Sequence, residues 1–282
     1  MSEALGLMAV LAHPDDESLG TGGILAKYSA EGVHTSLITA TRGQSGRFLH
    51  HRSGPDHPGP DKLGVIREAE LRCAAETLGV KDVTVLDYVD GALDQVDMRE
   101  AVGKVAGHIR RVRPQVLVTF PSDGAYGHPD HVAISQITSA AAVAAADPGF
   151  HVAGATAGHG PHAISKLYNI AVPRAEWEIY QKVFKKLVSV VDGVEREAVP
   201  WQDWAITTVV DTSAHWQRVW KAVECHQSQM ASYAGMADLS PETHEFLWGH
   251  QHFYRVLSLV NGGRKRETDL FEGLRAATPS TK

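Results

Sequence analysis

The sequence predicts an α/β protein with a Rossmann-like, three-layer fold: a mostly parallel sheet with helices on both faces. Three observations predict it. Short apolar and β-branched runs alternate with amphipathic stretches along almost the full length, which is the pattern of strands joined by crossover helices. The first run, GLMAVL, reads as a buried strand. The chain of 282 residues is 43% apolar, enough for one large α/β core.

Taken in order, strands are expected at 7–12, 34–41, 83–88, 115–120, 166–172 and 253–260, and helices at 18–31, 64–79, 97–112, 130–146, 173–190 and 214–231. The pattern runs through the whole chain, so 1–282 is read as one domain. Two stretches break the rhythm. The loop near 47–62 contains HHRSGPDHPGPDK, whose Gly and Pro suit neither a strand nor a helix interior, and 147–163 is a second irregular crossing. The end, from about 264 to 282, reads as a tail, with the basic knot GGRKRE as a solvated terminus.

Composition excludes several classes. A net charge of -6 and the lack of a clustered basic surface argue against a nucleic-acid partner. No secretory leader or long apolar span is present, so no membrane partner and a cytoplasmic, reducing setting are expected. Cys73 and Cys225, far apart in sequence, offer neither a disulfide framework nor a thiolate zinc site, and Cys73 suits a buried helix face as a small hydrophobe. Self-association is left open.

The chemistry lies at two strand ends. Ala12-His13-Pro14-Asp15-Asp16-Glu17-Ser18 follows the first strand, and His128-Pro129-Asp130-His131 follows the strand at 115–120. Ligands of open parallel sheets bind outside the carboxyl ends of strands. Convergence of the two turns would gather His13, Asp15, Asp16, His128, Asp130 and His131, a nitrogen and oxygen donor set for a metal ion. Two histidines and one carboxylate with a position left for water is the catalytic zinc pattern. The plainer alternative is that Asp15, Asp16 or Ser18 merely caps a helix. The pairing of two clusters behind two apolar strands favours the metal.

These motifs resemble the PIG-L (LmbE-like) family of zinc-dependent N-deacetylases, which remove acetyl groups from N-acetylglucosamine conjugates and related amides. TRGQSG at 41–46, REAELRCAAETLGV and DTSAHWQRVWKAVECHQSQ extend the similarity to about residue 230. One departure is Gln44, where the family usually carries Glu.

The resemblance implies His13, Asp16 and His131 as zinc ligands, with iron(II) an alternative, and Asp15 as the general base for the attacking water. A protonated His128 would help to stabilise the tetrahedral oxygen, with Asp130 orienting and charging that imidazole. Tyr126, in a glycine-flanked loop, either swings its hydroxyl toward the same oxygen or simply packs. Arg67 holds a polar part of the substrate or lies on a solvated helix face with Glu68 or Glu70. Asp90 binds sugar hydroxyls or makes an Asp-Gly turn. His226 is matched by the family and has no obvious charge partner in the sequence. His50, His51 and His57 are loop histidines and not a second metal site. The implied partner is a small N-acetylated amino sugar.

Rival classes fit less well. LGTGG lacks the third glycine of a dinucleotide-binding turn and would share its space with carboxylates that repel phosphate. GQSGR does not give the Gly-x-Ser-x-Gly elbow of a serine hydrolase. A carbohydrate-binding relative without activity would not need Asp15 and His128. An amidase acting on a non-sugar or thiol-conjugate amide stays open.

Overall fold

The computed structural model describes residues 4–184, 188–197 and 199–275. Five strands, β1 (Gly6–Leu11), β2 (His34–Thr41), β3 (Asp82–Tyr88), β4 (Val116–Thr119) and β5 (Lys166–Ile170), pair in parallel. Their crossovers are helices α1 (Asp16–Ala30), α2 (Pro60–Leu78), α3 (Met98–Val112) and α5 (Pro129–Ala146), with a distorted single turn, α4 (Gly124–Gly127), ahead of α5. Every residue of β1 and β4 is buried, as parallel strands covered on both faces must be. The α/β reading with a mostly parallel sheet and helices on both faces therefore holds.

The later elements are α6 (Arg174–Phe184), β6 (Val188–Val191), β7 (Val194–Glu197), β8 (Thr208–Asp211), α7 (Trp216–Cys225), α8 (Ala234–Ala237), α9 (Pro241–Trp248) and β9 (His250–Ser258). Here the sequence reading needs correction. The helix expected over 173–190 stops at Phe184, residues 185–187 lie outside the described residues, and β6 and β7 form a hairpin around Asp192-Gly193. Both turn residues take positive φ, 53° and 75°, the backbone that makes Asp-Gly a tight hairpin turn. The helix expected over 214–231 ends at Cys225. β9 is antiparallel to β5, and β8, which has no counterpart in the sequence reading, is antiparallel to β9.

The seven-stranded order is β3-β2-β1-β4-β5-β9-β8. After β3 the chain crosses to the far side of β1, so the β1–α1 and β4–α5 turns lie next to each other at the carboxyl edge. This is the reversal point at which open α/β sheets form their binding crevice.

The two cysteines are also corrected. α2 and α7 pack side by side, the Cα atoms of Cys73 and Cys225 come within 5.9 Å, and the sulfurs are joined as a disulfide. A separation of 152 residues gave no hint of the pairing. The C-terminal segment is tied to the sheet by Glu267, whose buried carboxylate accepts from Lys166 Nζ (2.6 Å), Tyr168 Oη (2.8 Å) and Thr208 Oγ1 (2.8 Å). The expected tail thus begins as ordered structure, and 276–282 lie outside the described residues. Among the described residues no helix is long and apolar enough to cross a membrane.

Candidate metal centre

The first turn disposes of its three carboxylates in three ways. Asp15 occupies the N-cap position of α1, but its side chain caps nothing. Its backbone takes φ 108°, a strained conformation for any residue but glycine, costing about 1–3 kcal/mol. Its Oδ2 accepts instead from Arg67 Nη2 at 2.9 Å and from the Tyr233 hydroxyl. Asp16 turns back toward β1, its Oδ2 accepting from the His13 amide at 2.7 Å and the Ala12 amide at 3.2 Å. Glu17 is fully buried; its Oε2 accepts from the Asp15 amide (2.9 Å) and its Oε1 meets His226 Nε2 at 2.7 Å. His226 therefore does have a charge partner, 209 residues away in sequence. The capping alternative does not account for these contacts.

The second turn spells His-Pro-Asp again but uses it differently. Pro129 opens α5, so His128 is the N-cap and its Nδ1 accepts from the Asp130 amide at 3.2 Å. The Asp130 carboxylate is completely buried and accepts from the amides of Gly91 (2.7 Å) and Leu93 (3.0 Å). Its side-chain partner is His13 Nε2, at 3.0 Å. The expectation that Asp130 orients His128 is thereby corrected: helix geometry sends the carboxylate across to the other turn.

His131 stacks on Phe120, ring centroids 3.8 Å apart, and its Nδ1 donates to the Gly124 carbonyl at 3.2 Å. With Asp130 on His13 Nε2 and Gly124 on His131 Nδ1, each imidazole has one nitrogen held by an acceptor. The other two, His13 Nδ1 and His131 Nε2, lie 3.2 Å apart, each 3.6 Å from an Asp16 oxygen. Ligand atoms of His13, Asp16 and His131 all lie within 4.8 Å of one another, and His13, His128 and Asp130 form a second such group. Acceptors behind both rings are the usual support of metal-binding histidines, so the residues fit a divalent ion.

The electrostatics agree with crowding that a cation would relieve. Burial alone pushes the His13 imidazole down, but Asp130, Asp16 and Asp90 around it hold it well above the ordinary value. Burial opposes ionisation of Asp16, yet His131 and His13 bring it below the usual carboxylate range. Burial pushes His131 down to about 3, which keeps it neutral as a ligand must be. Burial also raises Asp15, outweighing the neighbouring Arg67. His128 is pushed down by burial and by the neighbouring His13, against the pull of Asp130, Asp16 and Asp90.

The remaining expected residues fall around this group. Arg67 is buried, and its guanidinium donates to the carbonyls of Pro14 (2.5 Å) and Gly43 (2.8 Å) as well as to Asp15. It does not lie on a solvated face. Asp90 sits at the end of β3 with Oδ1 3.1 Å from His13 Nε2 and Oδ2 accepting from the Ser45 amide at 2.9 Å. Tyr126, in α4, stands edge-on to His131 at 5.2 Å. Gln44 donates to the Tyr88 carbonyl at 3.2 Å, bracing the β2 turn against β3. In the loop near 47–62, His57 Nε2 lies 3.4 Å from the Gly46 carbonyl. Sequence reasoning missed Tyr233, which is 218 residues from its partner Asp15 and belongs to no local pattern.

Comparison with known proteins gives the same direction. The family model described as GlcNAc-PI de-N-acetylase, PIG-L, matches residues 8–142. A 1D-myo-inositol 2-acetamido-2-deoxy-alpha-D-glucopyranoside deacetylase of Streptomyces avermitilis is 35% identical, over 95% of this chain and 97% of its own. Among solved structures, the N,N'-diacetylchitobiose deacetylase of Pyrococcus horikoshii has a TM-score of 0.62 at 19% identity, covering 90% of this chain and 84% of its own. The 4-carboxy-2-hydroxymuconate hydratase GalB of Pseudomonas putida has a TM-score of 0.68 at 16% identity, covering 92% and 99%. The same fold thus carries a different reaction there, and function has to be argued from the site.

Proposed function

This chain belongs to the PIG-L family of de-N-acetylases, and on that premise we propose that it is a zinc-dependent hydrolase removing the acetyl group from the glucosamine nitrogen of a small N-acetylglucosamine conjugate, with the inositol conjugate of its relatives as first candidate. The observation that carries the proposal is the meeting of His13, Asp16 and His131 donor atoms within 4.8 Å, beside an Asp15 carboxylate kept apart from them by Arg67 and Tyr233. Two imidazoles and one carboxylate suit catalytic zinc, and iron(II) accepts the same donors.

Bound there, the ion would supply Lewis acidity to the amide carbonyl and to the attacking water. Asp15 takes a proton from that water; its burial raises its basicity, and its two hydrogen bonds fix its direction. As the carbonyl becomes tetrahedral, its oxygen is met by His128 and by the Tyr126 hydroxyl. Asp15 returns the proton to the departing nitrogen, giving acetate and a free amine. Asp130 acts by holding His13, and Arg67 by holding Asp15. Asp90, beside Ser45, accepts the sugar hydroxyls.

Acetate release from the inositol conjugate, free N-acetylglucosamine and N,N'-diacetylchitobiose, with and without added zinc, tests the reading. Zinc-dependent release from at least one of them is expected; one bound ion with no cleavage of any would overturn it.

A further inference from the structure

Asp15 holds a backbone conformation that it does not adopt freely. Its φ of 108° with ψ of -28° lies outside the regions open to residues with a β-carbon. A residue keeps such a conformation only where its surroundings over-determine it. Here the conformation separates two neighbouring carboxylates. Asp16 turns back onto the His13 and Ala12 amides, while Asp15 turns onto Arg67 and Tyr233. A relaxed, negative φ would carry the Asp15 Cβ to the other side of the chain and take its carboxylate off that pair.

The strained residue is held from within its own turn. Glu17 Oε2 accepts from the Asp15 amide at 2.9 Å, and Glu17 Oε1 accepts from Ser18 Oγ at 2.6 Å and His226 Nε2 at 2.7 Å. An acid of the first helical turn that reaches back to the N-cap amide is a common cap. Such acids are almost never fully buried unless paired. Glu17, Ser18 and His226 are all completely buried. Among the described residues His226 Nδ1 has no hydrogen-bond partner, so the ring serves Glu17 alone.

The segment that carries His226 is in turn fixed to α2. Glu70 accepts from the Ser228 amide at 2.6 Å and the Ser228 hydroxyl at 2.7 Å. Cys225, the residue before His226, is joined to Cys73 of α2. Arg67 and Glu70 stand three apart on that helix, a spacing that places them on one face. One helix face therefore holds Asp15 at two points. Arg67 fixes its carboxylate, and Glu70 fixes the segment whose His226 fixes its amide through Glu17.

Resting on the role of Asp15 as base proposed above, we infer that Glu17 and His226 are positioning residues for the reaction: their buried pair holds the Asp15 backbone in the form that keeps its carboxylate apart from the ligand group and leaves Asp16 to it. Neither side chain touches the substrate or the reacting atoms. Because the pair acts only through Asp15, its loss should lower kcat and kcat/KM equally.

The test separates position from stability. Replacing both members of a buried ion pair by apolar residues of similar size often leaves stability unchanged, whereas removing one member does not. Glu17→Leu combined with His226→Leu should therefore unfold near the native denaturant midpoint and hold one zinc per chain. Its kcat should nevertheless fall by about 10²-fold, the effect of displacing a reacting group by about 1 Å, with KM unchanged. Glu17→Gln keeps an oxygen for the Asp15 amide and should recover about 10-fold of that loss, the contribution of one hydrogen bond. A crystal structure of the double variant should show Asp15 at negative φ with its carboxylate off Arg67.

Native midpoint together with native kcat in the double variant makes the pair a stability feature and overturns the inference. So does an Asp15 backbone unmoved from φ 108° with both leucines in place. If the two leucines are not tolerated, Glu17→Gln decides alone: a native midpoint with kcat as low as in Asp15→Asn overturns the inference, and kcat within about 10-fold of native supports it. A native protein that cleaves no amide removes the reading of Asp15 as base, while the Asp15 backbone in the variant crystal still decides whether the pair holds it.

Discussion

The β1–α1 and β4–α5 turns contain the same three residues, His-Pro-Asp, and use them in opposite ways. In the first, the helix begins only at Asp16, so the triplet lies in irregular backbone; His13 is free to offer Nδ1 to an ion, and Asp15 is forced to φ 108° with its carboxylate turned onto Arg67 and Tyr233. In the second, the helix begins at Pro129, so His128 is spent on a cap and Asp130 is carried inside to hold His13. A two-residue difference in where the helix starts sends the two histidines and the two aspartates to different partners. The motif alone does not assign the roles.

Exchanging one atom type at the two equivalent aspartates would separate these roles most sharply. Asp15→Asn should lower kcat by about 10²–10⁴, the usual worth of a positioned general base, and leave one bound zinc per chain by elemental analysis. A comparable loss of metal would make Asp15 a ligand and erase the contrast. The next effect concerns the third carboxylate of the first turn. His226→Leu leaves Glu17 buried without its partner, and denaturant unfolding should record a loss of about 3–5 kcal/mol; an unchanged midpoint would mean that Glu17 is protonated and the pair is not ionic.

A smaller change is expected at the second turn. Asp130→Asn should weaken zinc binding by about 10–100-fold, as loss of a carboxylate behind a ligand histidine does, with kcat at saturating zinc falling less than in Asp15→Asn. Equal kcat losses with unaltered affinity would restore the sequence expectation that Asp130 serves His128. The mildest prediction lies away from both turns. Burial pushes Glu267 up, but Lys166, Asn261, Tyr168 and Thr208 hold it down at about 2. A carboxylate depressed in the folded chain stabilises it fully above its ordinary value and less as pH falls toward the folded one. Thermal stability should therefore drop between about pH 4.5 and 2, and Glu267→Gln should flatten that slope.

Legibility in the sequence followed physical locality. The buried parallel strands could be read because each is a short apolar run flanked by turns, and both His-Pro-Asp turns because their residues are contiguous. β8 and the β6–β7 hairpin escaped because their 4-residue strands are exposed or only partly buried and give no continuous apolar run, whereas the equally short β4 is buried throughout. Tyr233 on Asp15, His226 on Glu17 and Cys73 on Cys225 escaped because each joins residues more than 150 apart that only the packing of α1, α2 and α7 brings together. Asp130 was placed on the wrong histidine because adjacency in sequence favours His128, and the helix start that redirects it is invisible without the backbone.

The central claim is that the two turns share one ion through His13, Asp16 and His131. Zinc-edge anomalous diffraction from crystals of the zinc-loaded protein tests it directly. A single peak bonded to His13 Nδ1, His131 Nε2 and the Asp16 carboxylate is predicted; a peak among His13, His128 and Asp130, the other donor group within reach, would contradict it.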